Sequence, residues 1–370
     1  MLLIFLVNNF CHCSKPDSWR GTTSIKNGVI YVTNPGQGLW KNSKKITFKT
    51  ILSIGIDNGD ENYILSDPKD LVVDNQGNIY ICDFRDHSVK VYNKEGIFLR
   101  RIGKKGAGPG ELYTPSSIAL KSSKEIYIYD EMQNRINVFS LEGHFLKSFQ
   151  TEYKIINITS NACGDIIFST IGSIYFSSSK SNASGKNYYV INSNGKFISS
   201  FGSPIMLGDE HKSSQMSLSF INFSNSKIIS TFQFPYRIEM YNTDYKLLKV
   251  ITREADFFTP PELMNGIQYY VSRGLLGKPF FLKDGTLLVG TYDQGTNYMD
   301  HYVNNDISAW DDDREYYDLF DEEGRFLESF LIEFEKLGSL LYVDSQGYIY
   351  TNKTEPYPMI LKYEILFEEK

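Results

Sequence analysis

The chain repeats itself, and that constrains its fold more than any other feature. Asp67-Pro68-Lys69-Asp70-Leu71-Val72-Val73-Asp74 is echoed 47 residues later by Thr114-Pro115-Ser116-Ser117-Ile118-Ala119-Leu120-Lys121. Each copy continues with a turn and a strand ending in Asp, Gly77–Asp83 and Lys124–Asp130. A third strand follows, Ser88–Tyr92 and Arg135–Phe139, then a fourth, Glu95–Arg100 and Glu142–Lys147. Four short strands punctuated by Gly, Asn and Asp turns are the pattern of a propeller blade.

The fourth-strand signature recurs at Asn194–Ile198, Thr243–Leu247 and Glu323–Leu327, which makes five blades between Pro68 and Phe330. The tail offers three more strands, Ser339–Asp344, Tyr348–Asn352 and Met359–Ile365. A sixth blade needs a fourth strand, and Lys45–Ile54 can supply it from the N-terminus. Closure of this kind removes an open sheet edge. Val29–Thr33 reads as an extra outer strand. The expected fold is all-β: a six-bladed β-propeller of four-stranded antiparallel blades, the last closed by an N-terminal strand. Seven blades is the alternative count. One propeller domain is expected over residues 23–370.

Composition agrees with strands. Aromatics reach 15%, from 26 Tyr and 25 Phe, residue types that suit pleated, half-buried surfaces. The best helical candidate is short, near Pro261–Arg273. A net charge of −6 argues against nucleic acid as a partner, because phosphate binding needs a basic face.

Residues 1–22 read as a signal or lipoprotein-type segment. Met1–Phe10 is apolar but too short to span a bilayer. It resembles the apolar region of a secretory signal. Cys13 precedes the polar run Ser14-Lys15-Pro16-Asp17 and is the candidate for lipidation. A cleaved signal without lipid and a plain buried N-terminus are the alternatives. The chain is therefore expected to be exported, as a periplasmic, outer-membrane or cell-surface lipoprotein touching membrane only through that anchor. Cys82 and Cys163 in the body read as plain buried thiols.

Strand alternation sorts the connections onto two faces. With strands a to d counted from the axis, the a–b and c–d turns share one face and are short. The d–a connections Gly55–Asp67, Gly103–Thr114, Gly202–Gln215 and Thr252–Gly266 are long and share the other. So do the b–c loops Gly172–Lys186 and Asp293–Asp313. Long loops on a rigid scaffold are where binding concentrates. The Asp293–Asp313 insertion carries Tyr298, His301, Tyr302, Trp310 and Asp311. Aromatics beside carboxylates suit recognition of sugars, peptides or cations; these five are the candidate ligand-binding residues, and the expected partner is a protein, peptide or glycan.

Other motifs read as structural. Gly103–Glu111 is Gly-rich but lacks the Gly-Lys-Ser/Thr ending of a phosphate loop. Asp57–Glu61 and Asp311–Glu315 are acidic without calcium-loop spacing. No cofactor is expected, calcium being the one ion left open. His87, His211 and His301 fall on the long-loop face but on distinct blades. Asp83, Asp130 and Arg135 read as residues that tie strands together. No catalytic residue is assigned, and the inner strands offer only Asp70, Ser116, Ser117 and Asn157 toward the axis.

These repeats resemble NHL-type blades. Val32-Thr33-Asn34-Pro35, Gly38-Leu39-Trp40, Ser53-Ile54-Gly55 and Gly106–Glu111 look like the bacterial "6-bladed beta-propeller" proteins, many of them exported lipoproteins of uncharacterised function. The resemblance implies fold and export, and no established chemistry. The expected function is a non-enzymatic binding propeller at the cell envelope. The alternative is a metal-dependent hydrolase or lyase, lactonase-like or peptidyl-hydroxyglycine lyase-like, with its site in the central channel; fold analogy supports it.

Overall fold

The computed structural model describes residues 19–121, 124–170, 185–208, 212–213, 218–254, 258, 262–264, 268–270, 273–293, 314–332 and 337–370. Three strands precede the repeats: β1 (Thr22–Lys26), β2 (Val29–Asn34) and β3 (Lys44–Ile54). Blade one is β4 (Pro68–Val73), β5 (Ile79–Asp83), β6 (Ser88–Tyr92) and β7 (Phe98–Ile102). Blade two is β8 (Pro115–Lys121), β9 (Glu125–Asp130), β10 (Arg135–Ser140) and β11 (Phe145–Gln150). Blade three is β12 (Ile155–Ser160), β13 (Ile166–Thr170), β14 (Tyr188–Ile191) and β15 (Phe197–Phe201). Blade four is β16 (Ser219–Ser224), β17 (Lys227–Phe232), β18 (Arg237–Tyr241) and β19 (Leu247–Arg253). After a hairpin of β20 (Glu262–Met264) and β21 (Gln268–Tyr270), blade five is β22 (Arg273–Phe281), β23 (Leu287–Asp293), β24 (Arg314–Phe320) and β25 (Phe326–Ile332). Blade six is β26 (Ser339–Val343), β27 (Ile349–Lys353), β28 (Met359–Glu369) and β3.

The ring closes as expected, with β3 antiparallel to β28 from Ile54↔Ile360 to Lys44↔Glu369. The extra outer strand read at Val29–Thr33 is present, on blade four. β2 pairs parallel with β19 on the outer edge of blade four, and β1 pairs antiparallel with β2 outside it. The chain then passes blade five, where Leu39 and Trp40 donate to the carbonyls of Phe326 and Leu327, before it closes blade six. The N-terminal segment is thus a strap across three blades.

Within the range read as the best helical candidate, the described residues Glu262–Met264 and Gln268–Tyr270 are not helical but pair as the antiparallel strands β20 and β21. The segment is too short to carry the nucleation cost of a helix, and Tyr269-Tyr270-Val271 favours strand.

The core lies between blades. Central strands such as β5 are buried along their whole length, because each face meets a neighbouring blade. Side chains alternate accordingly: Tyr80 and Cys82 pack toward blade two, Ile79 and Ile81 toward blade six. Each of the six junctions between neighbouring blades carries one such buried cluster. The turns are keyed by side-chain caps. Asp74 accepts from Gln76 N, Asn78 N and the Tyr80 hydroxyl; Asp344 does the same with Gln346, Tyr348 and Tyr350. In the c–d turns Gly96 and Gly195 hold φ of 81° and 79°, but Tyr245 adopts φ 64° in blade four, a conformation costly for a bulky residue. Its ring stacks on Phe201 at 5.0 Å.

Candidate functional site: the central channel

Bulges shape the inner strands. In β4, β8 and β12 the register slips at Pro68/Asp70, Pro115/Ser117 and Ile155/Asn157. A bulge re-aims the residue beside it, and Asp70, Ser117 and Asn157 all reach the next blade. Ser117 Oγ donates to Asp70 Oδ2 at 2.8 Å and accepts from Ile158 N at 3.1 Å. Asn157 exchanges bonds with Ile221 through N–H and C=O, 3.0 and 2.7 Å. Blades one to four are sewn together at the axis by this relay.

Blade five breaks the pattern. In β22, Leu276 faces Gly290 but Phe280 faces Leu288, so Gly277-Lys278-Pro279 stands out of the ladder. Gly277 takes φ 72°. Asn222 Nδ2 and Thr231 Oγ1 donate to the Pro279 and Gly277 carbonyls, both at 2.9 Å. The displaced Lys278 reaches past blade six to blade one. Its Nζ lies 2.7 Å from both carboxylate oxygens of Asp70. Asp70 also accepts from Leu71 N at 2.9 Å, Ile118 N at 3.0 Å and Ser117 Oγ. The carboxylate is buried, and Lys278 is 12% exposed.

Beside this pair lies a cavity of about 180 Å³. Its walls come from all six inner strands, including Val72, Ile118, Ile158, Phe223 and Tyr342. These residues belong to the second halves of their strands, next to the a–b turns. The cavity therefore sits at the short-turn end of the channel. Burial, then the nearby Asp344, push the Tyr342 hydroxyl up to about 12, so it stays protonated.

The opposite face is pinned from within. Asp83 accepts from Ser66 N and Asp67 N at 2.9 and 2.8 Å, and Asp130 from Tyr113 N and Thr114 N at 2.7 and 3.1 Å. Burial raises the Asp83 carboxyl. Arg135 donates to the carbonyls of Ala107, Gly108 and Glu111, so the Gly-rich segment is a blade-to-blade turn folded around a guanidinium. Asp83, Asp130 and Arg135 act as the ties read from the repeats.

Several sequence-derived candidates fall outside the described residues: Tyr298, His301, Tyr302, Trp310 and Asp311, with Cys13 and His211. His87 bonds the Tyr113 carbonyl through Nδ1 and packs on that ring at 5.6 Å. Cys82 is buried, and burial pushes its thiol well up. Cys163 is exposed rather than buried, because Ala162-Cys163-Gly164 forms the a–b turn of blade three at the disc surface. Among the described residues, no three His, Cys, Asp or Glu side chains gather as a metal site needs. Sequence reasoning passed over Lys278. The available signal was Gly-Lys-Pro inside an inner strand, since Pro there marks a bulge.

A family model described as "6-bladed beta-propeller" matches residues 58–260. Among solved structures, a Bacteroides fragilis protein described as exported is similar at 15% identity and TM-score 0.60, covering 91% of this chain and 99% of that one. A Bacteroides vulgatus protein is similar at 9% identity and TM-score 0.57, covering 88% and 100%. A catalytically inactive virginiamycin B lyase from Staphylococcus aureus, with quinupristin, is similar at 13% identity and TM-score 0.50, covering 87% and 100%. Among curated proteins none matches.

Proposed function

This chain belongs to the 6-bladed beta-propeller family, and on that premise we propose that it is a non-enzymatic binding propeller exported to the cell envelope. Its protein, peptide or glycan ligand sits on the face of the b–c and d–a connections, with Tyr298, His301, Tyr302, Trp310 and Asp311 contributing contacts. One observation carries the non-enzymatic part. Asp70, the inner-strand carboxylate best placed for channel chemistry, is saturated by Lys278 and three neutral donors. A group so held is a structural tie rather than a general base or a ready metal ligand. The pinning of the d–a loops by Asp83 and Asp130 supports the choice of face, because a pre-organised surface lowers the ordering cost of binding. Export fits the apolar Met1–Phe10 segment and agrees with the description of the Bacteroides fragilis protein of the same fold as exported, and a lipid on Cys13 would supply the anchor.

The test pairs metal analysis with binding. The purified chain is dialysed and its metal content measured, and peptide and glycan arrays are probed with the wild type, Trp310→Ala and Tyr298→Ala. The expected outcome is no retained metal and array binding weakened by both substitutions. About one tightly held calcium or zinc per chain, with turnover of lactones or peptide amides, would move the chain to the metal-dependent lyase or lactonase class. Array binding untouched by either substitution would remove the insertion from the site.

A further inference from the structure

We propose that the short-turn end of the channel is a second binding site, for a small organic monocarboxylate, with Lys278 as its counter-charge. It lies at the opposite end of the channel from the long-loop face and stands independently of the role assigned there.

The cavity sets the size. Its volume of about 180 Å³ equals roughly six water molecules in the liquid, enough for a carboxylate on a short apolar chain. The walls set the character. Val72, Ile118, Ile158 and Phe223 contribute apolar side chains, while the accessible lining as a whole is more polar than apolar, which suits a carboxylate head on a short chain. Three polar side chains of the wall are already engaged with the fold. Ser160 Oγ donates to the Leu120 carbonyl, Thr159 Oγ1 accepts from Phe223 N, and Asn222 Nδ2 donates to the Pro279 carbonyl.

Lys278 sets the charge. An ammonium has three donors, and among the described residues its acceptors are the two Asp70 oxygens. The third N–H is left for a ligand. Asp70 tolerates sharing its cation, because Leu71 N, Ser117 Oγ and Ile118 N hold it independently. A lysine is a point charge rather than a planar fork, which suits one carboxylate oxygen more than a bidentate anion. A cation entering here would meet the ammonium and be repelled.

The probes are butyrate, its neutral isostere butyramide and the cation butylamine, titrated calorimetrically into the full chain. Expected is saturable one-site binding of butyrate, with butyramide about tenfold weaker or more, as loss of a charge-assisted hydrogen bond implies, and no binding of butylamine. The double variant Asp70→Asn/Lys278→Met removes the pair as a unit and should bind butyrate no better than butyramide. Equal binding of butyrate and butyramide by the wild type would overturn the proposal, as would no saturable butyrate binding at millimolar concentration. Both readouts use the wild type and do not depend on the variant folding. Undiminished butyrate binding by a folded double variant would overturn it as well.

Discussion

Arg253 Nη1 lies 2.7 Å from Asp318 Oδ2, joining β19 of blade four to β24 of blade five at a buried point. The Tyr236 hydroxyl donates to the same oxygen at 2.7 Å, Arg253 Nη2 to the Gly36 carbonyl at 3.1 Å, and the guanidinium lies 3.8 Å over the Phe326 ring. One residue thus links two blades and the N-terminal strap. Arg253→Met should cost on the order of 3–5 kcal/mol, because it strands a buried carboxylate. The double variant Arg253→Met/Asp318→Asn should recover part of that loss. Urea unfolding of both checks this, and an equal loss in the two would show that packing, not charge, dominates.

Asn34 fastens the strap. Its Oδ1 accepts from Trp19 Nε1 at 3.0 Å and Phe326 N at 2.7 Å, while its Nδ2 donates to the carbonyls of Thr252 at 3.2 Å and Gly324 at 3.0 Å. Asn34→Ala should cost about 2–3 kcal/mol, since buried groups of the strap and of both blades lose partners. Faster hydrogen exchange confined to residues 22–34 is expected. Uniform acceleration across all blades would show instead that Asn34 matters globally.

The turn around Arg135 makes a different kind of prediction. Arg135→Ala removes three bonds to the carbonyls of Ala107, Gly108 and Glu111 and should destabilise the chain by about 3 kcal/mol, charged donors being worth more than neutral ones. Because the loop's carbonyls point inward at a cation, inorganic phosphate should neither bind there nor restore stability. Phosphate-dependent protection of residues 103–111 would contradict this.

Alkaline pH probes the buried tyrosines. Burial above all pushes the hydroxyls of Tyr80, Tyr129 and Tyr342 from 10.0 up to about 12. A group whose folded pKa is raised contributes stability that is whole below its unfolded value and lost as pH rises through the folded one. Resistance to urea should therefore decline from about pH 10 toward pH 12, with tyrosinate absorbance rising together with unfolding. Titration of most tyrosines near pH 10 in a folded chain would refute it.

Much of the blade was legible in the chain. The offset from Asp70 to Ser117 marks equivalent bulge positions, and that from Asp83 to Asp130 marks equivalent loop ties. Both depend on neighbours a few residues away or one repeat apart. Which blade the outer strand β2 joins was not legible. β2 could sit on any exposed outer strand, and its parallel partner β19 lies more than 200 residues along. Lys278 was hidden for the same reason, since its partner is 208 residues distant and on a non-adjacent blade.

Strand alternation, turn chemistry and the six-blade count follow from the chain alone, because period-two burial and Asx or Gly turns are written within a few residues of where they act. The course of the strap, the out-of-ladder loop in β22 and the ion pair across the axis came only with the folded ring. Those depend on which segments a closed ring brings within hydrogen-bonding distance. A point charge such as Lys278 leaves no periodic trace in the chain that carries it.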